Sequence, residues 1–129
     1  MPHITTRTHK QVFDVLRDTH YSKLESLMFD SSYIAADAYQ DKFIFPGLIV
    51  AKDFTRNVYV PYNAAAAYGA YSDQPYGVTH VLYDLSYGDQ VIAPIWHGAV
   101  RENYCYVYGV AMGTISAAIK AALDKIKWA

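Results

Sequence analysis

The sequence predicts a mainly β domain with one or two helices, an extended N-terminal arm and a helix at the C-terminus. Three observations carry this expectation. From Tyr33 onward, short apolar runs rich in Val, Ile and Tyr are separated by clusters of Gly, Pro, Asn and Asp, the texture of short strands joined by turns. The preceding residues, 1–32, lack such runs and read as an arm. A single segment, TISAAIKAALDKIKWA from Thr114, keeps a helical period for several turns.

Taken in order, Met1 to Lys10 is polar with a Thr-rich centre, ITTRTH, and nothing in it nucleates a fold. From Gln11 to Phe29, Val12, Leu16, Leu24 and Leu27 show partial helical spacing, broken by the polar residues 17–20. DSSY at Asp30 is a turn signal. KFIFPGLIVA reads as two strands around Pro46-Gly47, and VYVPY as a strand from Val58 to Tyr62. NAAAAYGAYSDQP reads as a compact loop with at most one helical turn. YGVTHVLYDL and VIAPIWHGAV then form a predicted hairpin, joined by SYGDQ, in which Asp89 bonds neighbouring backbone N–H groups. YCYVYGVA continues the sheet with Cys105 in its interior. The final helix spans 114–127, with Thr114 as N-cap and Ile115, Ile119, Ala122, Leu123 and Ile126 as its apolar stripe. Lys120 and Asp124 are spaced to pair on its outer face. The domain division is therefore an arm at 1–32 and a β-rich domain at 33–129.

The totals narrow the function classes. With 129 residues, 53% hydrophobic and 18% charged, the chain buries one domain's core. A net charge of −1 gives no electrostatic case for nucleic acid, and no polybasic cluster marks a membrane surface. No apolar run approaches the roughly 18 residues of a membrane span, and the N-terminus has no secretory pattern. One cysteine excludes an internal disulfide framework and a cysteine-built zinc site. The 13 tyrosines suit strands and interfaces alike, and both readings stay open. Trp96 and Trp128 are likewise either core or contact residues.

His80 and His97 sit on the two strands of the predicted hairpin and would face each other, but a metal there needs further ligands. Asp84, Asp89 and Glu102 are the nearby acids, and nothing converges them on a cleft with His97. No nucleophile elbow or phosphate-binding loop occurs. Catalytic residues, cofactors and metal sites are accordingly not expected, and the chain reads as a non-enzyme.

The ordered series FPGLIVAKD, NVYVPYNAAA, YGVTHVLYDLSYGDQVIAPIWHGAVRE and TISAAIKAALDKI resembles the head decoration protein D family of tailed bacteriophages, the lambda type. Gly47-Leu48-Ile49-Val50 is similar to its turn-strand, and Tyr59-Val60-Pro61-Tyr62 to its next strand. Gly77, Val78, Leu82 and Asp84 match the following strand; Gly88-Asp89, Ile95, Gly98 and Val100 match its acidic turn and return strand. Ala117, Ala118, Ala121, Ala122 and Leu123 resemble its closing helix. The likeness runs from about Tyr33 to Ile126.

The resemblance implies a small β-barrel-like (β-tulip type) domain, decorating and stabilising the expanded capsid as a trimer at threefold positions between capsomers. Its partners would be the major capsid protein and itself, as a homotrimer, with no direct nucleic-acid or membrane contact. It would be made in the host cytoplasm and reside on the outer surface of the virion capsid. The arm would become ordered on the capsid and add a strand there, with Ile4, Thr5, Thr6, Arg7, Val12, Phe13 and Leu16 as contacts. Gly47, Gly77, Gly88, Asp89 and Gly98 would shape its structural turns.

Two features depart from the family pattern. The stretch before Tyr33 is longer than the lambda-type arm, and the chain ends soon after its helix, where many members add a final strand. Two other readings remain: a non-enzymatic β-barrel adaptor or tail-associated structural protein, and a small metal-binding or hydrolytic protein using His80 and His97.

Overall fold

The computed structural model of the protein describes residues 15–129, and for 16–23 the backbone course alone. Ile4, Thr5, Thr6, Arg7, Val12 and Phe13 thus lie outside the described residues. The strands are β1 (Leu16–Leu24), β2 (Leu27–Phe29), β3 (Phe43–Ile44), β4 (Ile49–Asp53) and β5 (Val58–Pro61), followed by β6 (Pro75–Val78), β7 (Tyr83–Asp84), β8 (Gln90–Ile92), β9 (Ile95–Val100) and β10 (Ile126–Trp128). The single α-helix among the described residues, α1, spans Ala117–Ala122. The described residues are mainly β with one short α-helix, and no helix among them is long and apolar enough to cross a membrane.

The large sheet runs in the order β1-β9-β6-β4-β5-β2-β8, with β10 beside β9, and β3 pairs β7 separately. Pairing is antiparallel except for β2 with β5 and β10 with β9. Among the described residues the path is open at β1 and β8, so the barrel-like expectation is met there by a β-rich sheet but not by a closed one.

The centre of the sheet is β4, buried on both faces. Alternation along a strand sends successive side chains to opposite sides. Ile49 accordingly packs with Val78, Ile95, Val100, Ile119 and Ile126 beneath α1 and β10. Val50 packs on the other side with Phe29, Ile44, Tyr59, Leu85 and Ile92. The sheet therefore separates two apolar clusters.

Three boundaries differ from those the sequence predicted. The first is the 1–32 arm: β1 pairs β9, and β2 lies between β5 and β8. Val15 and Phe29 are fully buried, so residues 15–32 belong to the domain. The polar break at 17–20 spoiled helical spacing because the segment is a strand, irregular in register between Asp18 and Lys23.

The second is the hairpin. Each predicted strand is split, because Pro94 supplies no N–H to a ladder and Thr79 is locked to the chain before β4. The Thr79 hydroxyl oxygen accepts from the Leu48 N–H at 3.0 Å, and the Thr79 N–H donates to the Leu48 carbonyl at 3.0 Å. Beyond these breaks β7 joins β3 and β8 joins β2, while β6 meets β9 at Val78 and Ile95.

The third is the helix at 114–127. Ser116, not Thr114, is the N-cap, accepting from the Ile119 N–H at 3.3 Å. Six residues hold little helix by propensity alone. After Leu123 the chain turns and lays Ile126 to Trp128 along β9, where the Ala129 N–H donates to the Val100 carbonyl at 3.0 Å. This is a final strand. Ala122 is exposed, and Lys120 pairs with Glu102 instead of Asp124. YCYVYGVA likewise forms turns with one bridge, Tyr106 to Leu48, in place of a strand.

Candidate functional site

The residues singled out from the sequence take different places. Gly47 turns the chain into β4 with φ 101°, as expected. Gly77 and Gly98 are strand residues of β6 and β9, not turns. At Gly77 the requirement is space, since a Cβ there would lie 2.8 Å from the Ile95 carbonyl oxygen. Gly88 turns the chain before β8 with φ 123°. Asp89 reaches across the fold: its Oδ1 accepts from the Ser31 N–H at 2.8 Å and the Ser31 hydroxyl at 2.6 Å. It pins the 3-10 turn Ser31–Tyr33 rather than its own loop. Leu16 opens β1, its backbone opposite Val100.

The two histidines do not face each other. Extending the antiparallel register from Val78 and Ile95 sets Tyr76 beside His97 and carries His80 the other way. The ring of His97 meets Trp96 edge-on at 5.9 Å. Among the described residues no group of three or more His, Cys, Asp or Glu is arranged to hold a metal ion. Cys105 is fully buried just after the 3-10 turn Glu102–Tyr104, and burial, with the Glu102 charge second, pushes its thiol up to about 12. Trp128 packs against the cluster beneath α1.

A polar and aromatic cluster, absent from the sequence reading, joins β4, β6 and the β1–β2 connection. Glu25 stands in that connection, and its carboxylate receives the Tyr76 hydroxyl and, at 3.0 Å, the Lys52 ammonium. The Tyr59 hydroxyl donates to the Glu25 backbone carbonyl at 2.8 Å. Lys52 also lies over the rings of Phe54 and Tyr76, at 5.2 and 5.3 Å. Tyr76, then Lys52, hold the Glu25 carboxyl below its usual range, against an opposing effect of burial. Burial, then Glu25, push the Tyr76 hydroxyl up to about 12. Each charge is satisfied within the cluster, so it ties strands together and leaves an aromatic rim at Phe54, which is 54% exposed. The signal was invisible in one dimension because Glu25 is 27 residues from Lys52 and 51 from Tyr76.

A second cluster clamps the β4–β5 turn. The Arg56 guanidinium donates to Asp53 and Asp30, each at 2.8 Å. Asp53 also accepts from the Thr55 and Arg56 N–H groups. These bonds, led by the Arg56 side chain, hold the Asp53 carboxyl below 3.8, and the two carboxylates raise Arg56. A depressed carboxyl contributes stability that is present above its ordinary pKa and lost as pH falls through the folded value. Asp53→Asn keeps the backbone bonds and loses the ion pair, which is partly solvent-screened because Arg56 is half exposed. The expected loss is about 1 kcal/mol at neutral pH. In urea titrations the gap to the parent protein should close as pH falls below 3.8. A gap unchanged at low pH would assign the loss to something other than this charge.

Among the described residues, exposed apolar side chains gather at the β2–β8 end of the sheet. Met28 and Val91 sit opposite each other on β2 and β8, both exposed, beside the outer edge of the sheet. Tyr87, in the turn before β8, is 95% exposed. Apolar side chains beside an open strand edge suit main-chain pairing with another protein. No family model and no curated protein matches the chain. Its chemistry is therefore read from its own residues.

Proposed function

We propose that the protein is a virion structural protein, a decoration protein that binds the outside of an expanded phage capsid as a trimer and stabilises it. The observation that carries this reading is the ordered motif series from Gly47 to Leu123. Four of its strand segments fold as β9, β6, β4 and β5, consecutive neighbours in one sheet, with the alanine-rich helix on the same core as Ile49 and Ile95, while Asp84 falls in β7, which pairs β3 apart from them. The chemistry of the described residues supports a passive role, because its charged clusters satisfy themselves within the fold.

In this reading the N-terminal residues supply the capsid contact. They add a strand to the major capsid protein, with backbone ladder bonds giving strength and Ile4, Val12 and Phe13 setting register. Thr5, Thr6 and Arg7 contribute polar contacts beside them. Ordering the arm costs about 1–2 kcal/mol per residue, so the apolar anchors are required as well as the ladder. Trimeric engagement raises the effective concentration at each threefold position, and weak single contacts sum to a durable clamp.

Deletion of Met1 to Lys10 tests the arm. The truncated protein should keep the parent's melting transition and circular dichroism while losing most of its binding to expanded heads. Parent-like binding by the truncated protein would remove the arm from the account.

A further inference from the structure

We infer that the cleft between residues 62–65 and 107–119 binds a proline-rich segment of another protein in the extended polyproline II form. Its volume of about 620 Å³ is that of a ligand site. No residue lining it is charged, and the runs that supply them, Val58 to Ser72 and Tyr104 to Ile119, contain no Asp, Glu, Lys, Arg or His. A charged ligand would lose hydration there without gaining an ion partner.

What the cleft offers is hydrogen-bond donors. The fold uses the side-chain oxygens of two lining residues and leaves their hydrogens. Asn63 Oδ1 accepts from the Ala65 N–H at 2.8 Å, and Ser116 Oγ accepts from the Ile119 N–H at 3.3 Å. An oxygen fixed on an N–H leaves the amide NH2 of Asn63 and the hydroxyl hydrogen of Ser116 to give. The third donor is Tyr62, which is 7% exposed and belongs to the core cluster beneath α1. Its hydroxyl has no hydrogen-bond partner among the described residues and is not sealed from solvent. A tyrosine buried this far ordinarily bonds its hydroxyl to the fold, as Tyr59 and Tyr106 do on the carbonyls of Glu25 and Phe45. Tyr62 instead stands against the open space of the cleft.

The complementary ligand is neutral, apolar in outline, and carries acceptors without matching donors. An ordinary peptide brings one N–H per residue, which would go unpaired against apolar walls such as Ala64, Val107 and Ile115. Proline has a carbonyl and no N–H, and polyproline II leaves every carbonyl free of internal bonds. Its conformation is set before binding, so little ordering entropy is lost. The inference is independent of the decoration reading and needs neither a head nor a trimer.

Chemical-shift titration of the full chain with decaproline, acetylated and amidated so that it is uncharged, tests the inference. Binding should be saturable with a Kd of about 1 mM or tighter, and a glycine–serine peptide of the same length should not bind. Tyr62→Phe should weaken binding about 5- to 10-fold, the effect of one lost hydrogen bond. Its melting transition should stay at the parent value, because the hydroxyl makes no bond within the described fold. Ala65→Arg, at an exposed position on the cleft wall, should weaken binding about 10-fold or more, and it decides the matter if Tyr62→Phe fails to fold. Absence of saturable binding overturns the inference, as does equal binding of the glycine–serine peptide or a folded Tyr62→Phe with parent affinity. Decaproline binding without head binding would defeat the decoration reading alone, and head binding without decaproline binding this inference alone.

Discussion

Gly47→Ala is expected to lower the unfolding free energy by about 3–5 kcal/mol, combining backbone strain with overpacking against a fixed neighbour. Gly47 has φ 101°, a conformation an L side chain adopts at a cost. A Cβ there would lie 2.1 Å from the Tyr104 carbonyl oxygen and 3.1 Å from the Cys105 Cα. These are backbone atoms and cannot swing aside as a side-chain tip would. The same residue donates its N–H to the Thr79 carbonyl and accepts from the Tyr106 N–H, both at 2.8 Å. Three segments distant in sequence meet at that point, so displacing one loosens the others. Gly88→Ala separates the two causes. Gly88 also has positive φ, but a Cβ would meet nothing within 4 Å, so about 1–2 kcal/mol of strain remains. Urea unfolding of both variants should show the difference, and equal losses would contradict the close approach at Gly47.

Phe29→Ala should cost about 3–5 kcal/mol, the range for truncating a buried aromatic side chain. Phe29 is fully buried in the cluster with Ile44, Tyr59 and Ile92, and its backbone lies between β5 and β8. Losing the ring leaves a cavity in a site fixed by strands on both sides. A residue in a detached arm would cost less than about 0.5 kcal/mol on the same substitution. Equilibrium unfolding therefore decides where the domain begins. A loss near zero would return residues 27–29 to the arm.

The sequence was informative where the determinants are local. The Pro46-Gly47 turn, the VYVP strand and the alanine-rich loop are set by residues within a few positions of each other, and they fall where expected. It failed where partners are distant. Phe29 looked like part of an arm because the strands that bury it, β5 and β8, arrive 30 and more residues later. The helical period through Ile119 and Leu123 extends to Ile126, but β9 offers that last residue a strand partner, and pairing there replaced the helix. Asp89 carries an ordinary turn signal, yet its acceptor serves Ser31, 58 residues away. The Glu25 and Arg56 clusters were missed for the same reason, being assembled by the sheet and not by spacing.

The proposed function is decoration of an expanded capsid. The most direct measurement is cosedimentation of the purified full chain with phage heads assembled without it, expanded in one arm and unexpanded in the other. The account predicts saturable binding to expanded heads, little to unexpanded ones, and raised resistance of the decorated heads to heat. Absence of binding to expanded heads, or equal binding to both forms, would contradict it.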